Sequence, residues 1–283
     1  MIDHWQACGH EVRWFNTCHM PLIEWADLIW FDCVDANLKC ATTKLDIAGK
    51  KIIARAIDLD VWAKHFNSVD WEKVDHLIFI AKHIQDFVLS EKHIPDRVGI
   101  HLIPCGVNLE KFTFRKKPER NNSIAVVMRL WHGKGIDYLL QLIAALPDYH
   151  FHICGDWGLG SVEYRWYKRY IDQFLSHYDN WTHITRVNDM NEWLENKTYA
   201  LLCSKKECFS YFSAESMAKG LKPIIHAFYG VQNVWPQKYI WRTIEEAIQL
   251  IQGPYEPLRY REYVAERYPL SRMLDAMDAL LGD

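Results

Sequence analysis

Short apolar runs recur along this chain, most of them followed by a stretch with helical periodicity, and that alternation constrains the fold more than any other feature. Strands that alternate with helices build parallel sheets covered on both faces. Val12–Phe15, Asp27–Phe31, Lys51–Ala54, His76–Ile80 and Gly99–Ile103 suit one such sheet. Ser123–Met128, His150–Cys154, His183–Thr185, Tyr199–Cys203 and Pro223–His226 suit a second. Between them, Phe114–Ser123 is polar and charged; it reads as a solvated interdomain linker in preference to a basic binding patch. A length of 283 residues accommodates two medium domains, and 49% hydrophobic residues can fill two cores. The expected division is a first domain over 1–113, a linker over 114–122, a second domain over 123–262 and a C-terminal helical segment over 263–283, with Leu270–Leu281 amphipathic.

Charge and cysteine usage narrow the function classes. A formal net charge of -3 leaves no nucleic-acid footprint, so acidic ligands must be held by local positive groups. The eight cysteines form no Cys-x-x-Cys pair, and several lie in apolar runs, as reduced buried thiols do; a cytoplasmic protein is expected. Asp3, His4, His10, Glu11 and Arg13 argue against a signal peptide, and no apolar run approaches the ~20 residues of a membrane span. Fourteen histidines invite a metal reading, but no His-Glu-x-x-His or comparable ligand spacing is present, so no metal is expected. The 13 Trp and 14 Tyr serve core and interdomain packing or stacking on sugar rings. Glu163–Leu175 is basic and aromatic; it reads as a surface helix with its apolar face on the core, with peripheral contact to an anionic membrane as the alternative.

The densest chemical signal lies in Ser204–Gly220. Glu207 and Glu215 stand eight positions apart, the first in a loop after the strand Tyr199–Cys203, the second in a helix that stops at Gly220. The backbone N–H groups of the loop and the start of the helix would face an anion. Two acids beside an anion site suit a ligand that carries both phosphate and hydroxyl groups, and a nucleotide-sugar has that chemistry.

This spacing resembles the Glu-x7-Glu signature of retaining glycosyltransferases of the GT-B fold, most closely family 4 (glycosyl transferases group 1). Three further stretches agree in order and spacing. Ile103–Phe112 resembles the family's IPNGVD…F segment, Val126–Leu140 its VGRL…KG…LL segment, and Phe151–Asp156 its IVGDG segment. The resemblance covers roughly residues 100–230; residues 1–95 match loosely. It implies an α/β architecture of two Rossmann-like parallel-sheet domains facing a cleft, with the C-terminal helix crossing back to the first domain. It implies metal-independent transfer of a hexosyl-type sugar from a nucleotide-diphosphate donor (UDP, GDP or ADP) to an acceptor hydroxyl, with retention of configuration. The partners would be that donor and a saccharide or other hydroxyl-bearing acceptor, with no cofactor.

The resemblance also assigns residues. Arg129 and Lys134 would grip the donor diphosphate and stabilise the leaving group, since charge-assisted bonds to phosphate are strong and Arg can engage two oxygens. Glu207 would meet the sugar hydroxyls near the reacting carbon, and Glu215 the ribose hydroxyls. Phe209, Ser210 and Tyr211 would offer backbone N–H groups to sugar and phosphate. The loop carrying Val187 and Met190 would lie against the base. On the first domain, Arg55 and Asp58 would contact acceptor or donor sugar, with an Arg–Asp structural pair as the alternative. Read without the resemblance, the two cations are surface residues near a turn and the two acids a solvated loop acid and a helix N-terminal acid.

Four departures from the family pattern stand out. Cys208 and Ser210 replace glycines around Phe209, and Met128 replaces a glycine before Arg129. Ile57 stands where a histidine would be sought. Trp5–Val12 reads as the end of a first helix, so the strand and Gly-rich loop that usually open such chains are missing, as a minimal form or through a lost start. These departures motivate a second reading, a non-catalytic nucleotide-sugar-binding or scaffold protein. A third is a related enzyme that epimerises or phosphorolyses.

Overall fold

The computed structural model describes residues 1–17, 20–57, 60–115, 120–157 and 162–282. Two compact units emerge. Unit 1 comprises Met1–Cys105 together with Ser271–Asp283, and unit 2 comprises Gly106–Leu270.

Unit 1 begins with the helices α1 (Ile2–Ala7) and α2 (Met20–Trp25). It continues through β1 (Leu28–Phe31), α3 (Ala36–Lys44), β2 (Lys51–Ala56), β3 (His76–Phe79), α4 (Lys82–Glu91) and β4 (Gly99–Leu102). Its four strands are all parallel and lie in chain order, β1-β2-β3-β4. The two central strands are continuous apolar runs because both faces are covered: Ile52, Ile53, Ala54, Leu77, Ile78 and Phe79 are all fully buried. Asp35 caps α3 by accepting from the N–H groups of Asn37 and Leu38.

Val12–Phe15, expected as a strand, pairs with no strand among the described residues. Its aromatic side chains have no buried face to fill: Trp14 is 68% and Phe15 49% exposed. Local contacts take over, with Arg13 bridging Glu11 at 2.8 Å and lying over the Trp25 ring.

Unit 2 runs β5 (Ser123–Val127), α5 (Ile136–Ala145), β6 (His150–Cys154), α6 (Val162–Leu175), β7 (Trp181–Ile184), α7 (Met190–Trp193), β8 (Tyr199–Leu202), α8 (Tyr211–Ala218), β9 (Lys222–His226), β10 (Ile240–Trp241), α9 (Ile244–Gln252) and α10 (Pro257–Arg267). The six parallel strands are ordered β10-β9-β8-β5-β6-β7. From β5 the chain winds outward through β6 and β7, then returns to the other side of β5 for β8, β9 and β10. The topological switch point therefore lies between β5 and β8. Strand β10, two residues long, carries too little periodicity to be read from sequence.

Helix α8 stops in a Schellman arrangement: Gly220 N–H donates to Met217 O and Leu221 N–H to Ser216 O, both at 2.9 Å. The last helix, α11 (Leu270–Gly282), groups from Ser271 onward with unit 1, as the crossing-back expectation required.

The stretch expected as a solvated linker is anchored at both described ends. Arg115 is 5% exposed and donates to the carbonyls of Lys219, Glu195, Lys197 and Gly220 and to the Tyr255 hydroxyl. Arg120 donates to the Tyr199 hydroxyl and to the carbonyls of Ile251 and Gln252. A planar fork of five donors can close several orphan carbonyls at once, which is why arginine suits a buried loop of this kind.

Among the described residues no helix is long and apolar enough to cross a membrane. The described cysteines are free thiols.

Candidate functional site

The carboxyl ends of β5 and β8 frame a cavity of about 220 Å³ whose lining includes Met128, Arg129, Lys134, Cys203, Ser204 and Glu207. In open parallel sheets the crevice outside the carboxyl ends of the strands at the switch point is where ligands bind. The cavity occupies that position.

Two glycines bring the loops together. A Cβ at Gly135, whose φ is +76°, would fall 2.0 Å from the Cys203 carbonyl oxygen, so the turn carrying Lys134 can lie directly on the end of β8. A Cβ at Gly155 would fall 1.8 Å from the Met128 carbonyl oxygen, so the loop after β6 closes against the residue before Arg129. The loop after β8 is held from below: His226 Nδ1 lies 3.2 Å from Ser204 O, and Lys205 N–H donates to Gly133 O.

Charge is arranged unevenly in this frame. Lys134 Nζ donates to Glu207 Oε1 at 2.5 Å, with both side chains largely withdrawn from solvent. Arg129 is held loosely, its Nε 3.7 Å from Asp156 Oδ1, with both groups about two-thirds exposed. The cavity thus contains one cation neutralised by one carboxylate and a second cation available at its rim. The Cys203 thiol is pushed strongly upward by burial and stays protonated.

After Glu207 the chain turns into α8. Phe209 is 2% exposed and packs on Tyr211, Trp235 and Tyr268, with centroids 5.1–5.6 Å apart. Ser210 caps the helix, its Oγ accepting from Ser213 N–H at 3.3 Å, and has a φ of 75°. Among the described residues it is the one non-glycine in the left-handed region. A serine thus holds the backbone a glycine would adopt more readily, at a cost of order 1 kcal/mol.

Glu215 lies inside α8. Burial raises its carboxyl to about 7, opposed by the positive charge of Lys111. Its carboxylate has no hydrogen-bond partner among the described residues, so the group is kept at an energetic disadvantage that a hydroxyl-rich ligand would relieve. Lys111 carried no sequence signal, because only the fold brings it opposite Glu215.

Arg129, Lys134 and Glu207 thus share one cavity, and Phe209, Ser210, Tyr211 and Glu215 follow it along α8. Val187 and Met190 lie beyond β6, on the loop after β7 and at the start of α7, and do not line the cavity. That loop is tied to α8 by Lys219, a fully buried residue whose Nζ donates to Asn191 Oδ1 and Glu195 Oε2. In unit 1, Arg55 forms an ion pair with Asp32: Nη2 donates to Oδ2 at 2.9 Å, and Nε lies 2.8 Å from Oδ1 without forming a hydrogen bond. Asp58 lies outside the described residues. The basic aromatic helix α6 buries Ile171 and Leu175 and exposes Trp166 and Tyr170.

Comparison with known proteins adds a partial family match and a fold. Residues 108–239 match the family described as Glycosyl transferases group 1. No curated protein sequence matches the chain. Among solved structures, Anabaena HepE in complex with UDP superposes with a TM-score of 0.75 at 13% identity, over 93% of this chain and 81% of that chain. A variant of S. aureus TarM in complex with fondaparinux, α-GlcNAc-glycerol and UDP gives 0.69 at 16% identity, over 85% and 52%. The pneumococcal O-GlcNAc transferase GtfA in complex with UDP and GlcNAc gives 0.63 at 18%, over 83% and 53%. The chain spans about half the length of the last two. At these identities the likeness establishes the fold: two parallel-sheet α/β units of the GT-B class.

Proposed function

We propose that this protein is a glycosyltransferase that moves a sugar from a nucleoside diphosphate to an acceptor hydroxyl. The observation that carries this reading is the cavity at the switch point between β5 and β8, where Arg129, Lys134 and Glu207 converge. A diphosphate would draw Lys134 from Glu207 and recruit Arg129 from the rim; the carboxylate so released would accept from donor-sugar hydroxyls. The Lys134–Glu207 pair is in this sense a placeholder for the ligand.

The transfer itself follows from the same groups. The acceptor oxygen forms a bond to the anomeric carbon as the bond from that carbon to the phosphate oxygen breaks. Attack from the face the diphosphate leaves retains configuration, and a phosphate oxygen takes the acceptor proton. Negative charge grows on the leaving diphosphate, and Arg129 and Lys134 stabilise it, so the reaction needs no divalent ion. Phe209, Ser210 and Tyr211 contribute backbone donors at the start of α8, Glu215 binds the ribose hydroxyls, and Val187 and Met190 border the base. Arg55 and Asp58 serve the acceptor side. UDP is the first nucleotide to test and a saccharide the first acceptor, because solved proteins of this fold are described as complexes with UDP, glucose or GlcNAc.

The test is a thermal-shift titration with UDP-, GDP- and ADP-sugars in the presence of a chelator, followed by product analysis with a labelled donor. Binding to the native state alone raises apparent stability by mass action. One nucleotide class should shift the melting temperature, the shift should vanish in Arg129→Ala, and labelled sugar should appear on an added saccharide with its anomeric configuration kept. Saturable nucleotide-sugar binding without turnover on any acceptor would favour the non-catalytic reading, and absence of binding would overturn both.

A further inference from the structure

In unit 1, far from these residues in sequence, three metal-ligating side chains of different chemistry meet. His4 and Cys8 stand one helical turn apart along α1 and its C-cap, and Asp278 comes from α11. His4 Nε2 lies 2.7 Å from Asp278 Oδ2 and 3.9 Å from Cys8 Sγ, and the three donor atoms all fall within 4.8 Å of one another. One imidazole nitrogen therefore faces both a carboxylate oxygen and a thiol sulfur.

We propose that His4, Cys8 and Asp278 form a site for a thiophilic divalent cation of the zinc class, which joins the first helix of this chain to the last. Zinc takes nitrogen at about 2.0–2.1 Å, sulfur at about 2.3 Å and carboxylate oxygen at about 2.0–2.2 Å in tetrahedral geometry, which sets ligand-to-ligand edges near 3.3–3.6 Å. The observed separations bracket those edges. Admitting the ion asks the His4–Asp278 contact to open by about 0.7 Å, and the thiol to close by about 0.4 Å on the imidazole and by up to roughly 1.2 Å on the carboxylate. The i, i+4 spacing of His4 and Cys8 puts both on one helix face, as a chelating pair requires.

A second observation supports the site. Trp5 Nε1–H donates to Asp278 Oδ1 at 2.9 Å, and Trp5 is itself buried against the Trp30 ring at a centroid distance of 5.0 Å. The carboxylate is thereby fixed with its other oxygen, Oδ2, aimed at His4. Hydrogen bonds of this outer kind orient ligands at metal centres. Three protein ligands leave a fourth position for solvent, and partial exposure at Cys8 gives the ion an entry path. Binding would release the Cys8 thiol proton and hold His4 as the neutral imidazole with its proton on Nδ1.

The experiment uses the full chain, stripped with a chelator and titrated with Co²⁺ as a spectroscopic stand-in for zinc. One equivalent should produce a thiolate-to-cobalt charge-transfer band in the near ultraviolet together with the visible bands of a four-coordinate ion, and Zn²⁺ should bleach both. Cys8→Ser should remove the charge-transfer band, and Asp278→Asn should weaken binding at least tenfold. Zn²⁺ should raise the melting temperature of the parent chain and leave that of Cys8→Ser unmoved. Cys8 is exposed, so its serine variant should fold, and far-ultraviolet circular dichroism checks this. A charge-transfer band that survives Cys8→Ser, or no band at equimolar Co²⁺ in the folded parent chain, would overturn the proposal.

Discussion

The two units are built from the same alternation of strand and helix, and they differ in one topological decision. In unit 1 the strands follow chain order across the sheet, so successive connections all step the same way. In unit 2 the order reverses at β5, and the two connections on either side of it diverge. Divergence opens a crevice at the strand ends, and the cavity with Arg129, Lys134 and Glu207 occupies it. The polar groups after β1 and β2 are mostly paired within the unit: Arg55 Nη2 donates to Asp32, and Asp60 accepts from the N–H groups of Val34 and Ile57. In unit 2 the corresponding groups are left with loose or exchangeable partners. The candidate site thus lies where the fold diverges and its charged groups can exchange partners.

That contrast can be broken most directly by activity. Arg129→Ala should lower transfer by about a hundredfold or more, the usual loss when a group that stabilises developing charge is removed. Arg55→Ala should leave nucleotide affinity within twofold while raising the acceptor KM. Isothermal titration with the nucleotide and steady-state kinetics read the two effects separately, and equal loss of nucleotide affinity in both variants would erase the distinction between the units.

Stability gives the next effect. Arg115→Ala strips partners from four carbonyls and a hydroxyl, and should destabilise by about 3 kcal/mol or more in denaturant unfolding followed by a unit 2 probe. If the loss is below about 1 kcal/mol, the buried fork is not what secures this stretch to unit 2.

A smaller effect depends on pH. Glu215 has its carboxyl raised to about 7, so the folded state holds a proton there that the unfolded chain releases near pH 4.5. Its contribution is fully present below pH 4.5 and is lost as pH rises to 7. Glu215→Gln removes the penalty, so its melting temperature should exceed that of the parent at pH 8 and converge with it near pH 4.5, while ribose-dependent affinity falls. A parent-minus-variant difference that stays flat from pH 4.5 to 8 would show that the carboxyl titrates normally.

Ser210→Gly should have the smallest effect. Relief of the left-handed backbone is worth about 1 kcal/mol, and loss of the hydroxyl cap returns a few tenths, so a net gain of roughly half a kcal/mol is expected. Equilibrium unfolding reads the sign, and a destabilised variant would mean that the cap outweighs the strain.

Much of unit 2 could be read from sequence because its short strands alternate with helical patterns and its turns are punctuated by Gly135, Gly155 and Gly220. The same reading placed a strand at Val12–Phe15, where apolar character alone was no guide to a missing partner edge. Arg129, Lys134 and Glu207 were singled out only through the resemblance of their loops to the family's motifs, and the fold brings the three to one cavity. The pairing of Lys134 with Glu207, the approach of Lys111 to Glu215 and the meeting of His4 with Asp278 were not. Each joins residues separated by many positions, and side-chain type says nothing about such distances until the chain is folded.

Arg115 has a consequence for the route to the native state as well as for its depth. Its acceptors sit at Glu195, Lys197, Lys219, Gly220 and Tyr255, so the guanidinium finds its full set only after α7, β8, the end of α8 and the segment before α10 have all converged. Contacts spanning up to 140 residues carry large loop-closure costs and form late. Arg115 is therefore expected to complete its contacts late in folding. Its removal should then accelerate unfolding more than it slows folding, which would shorten the lifetime of unit 2 against thermal inactivation through a side chain that does not line the cavity.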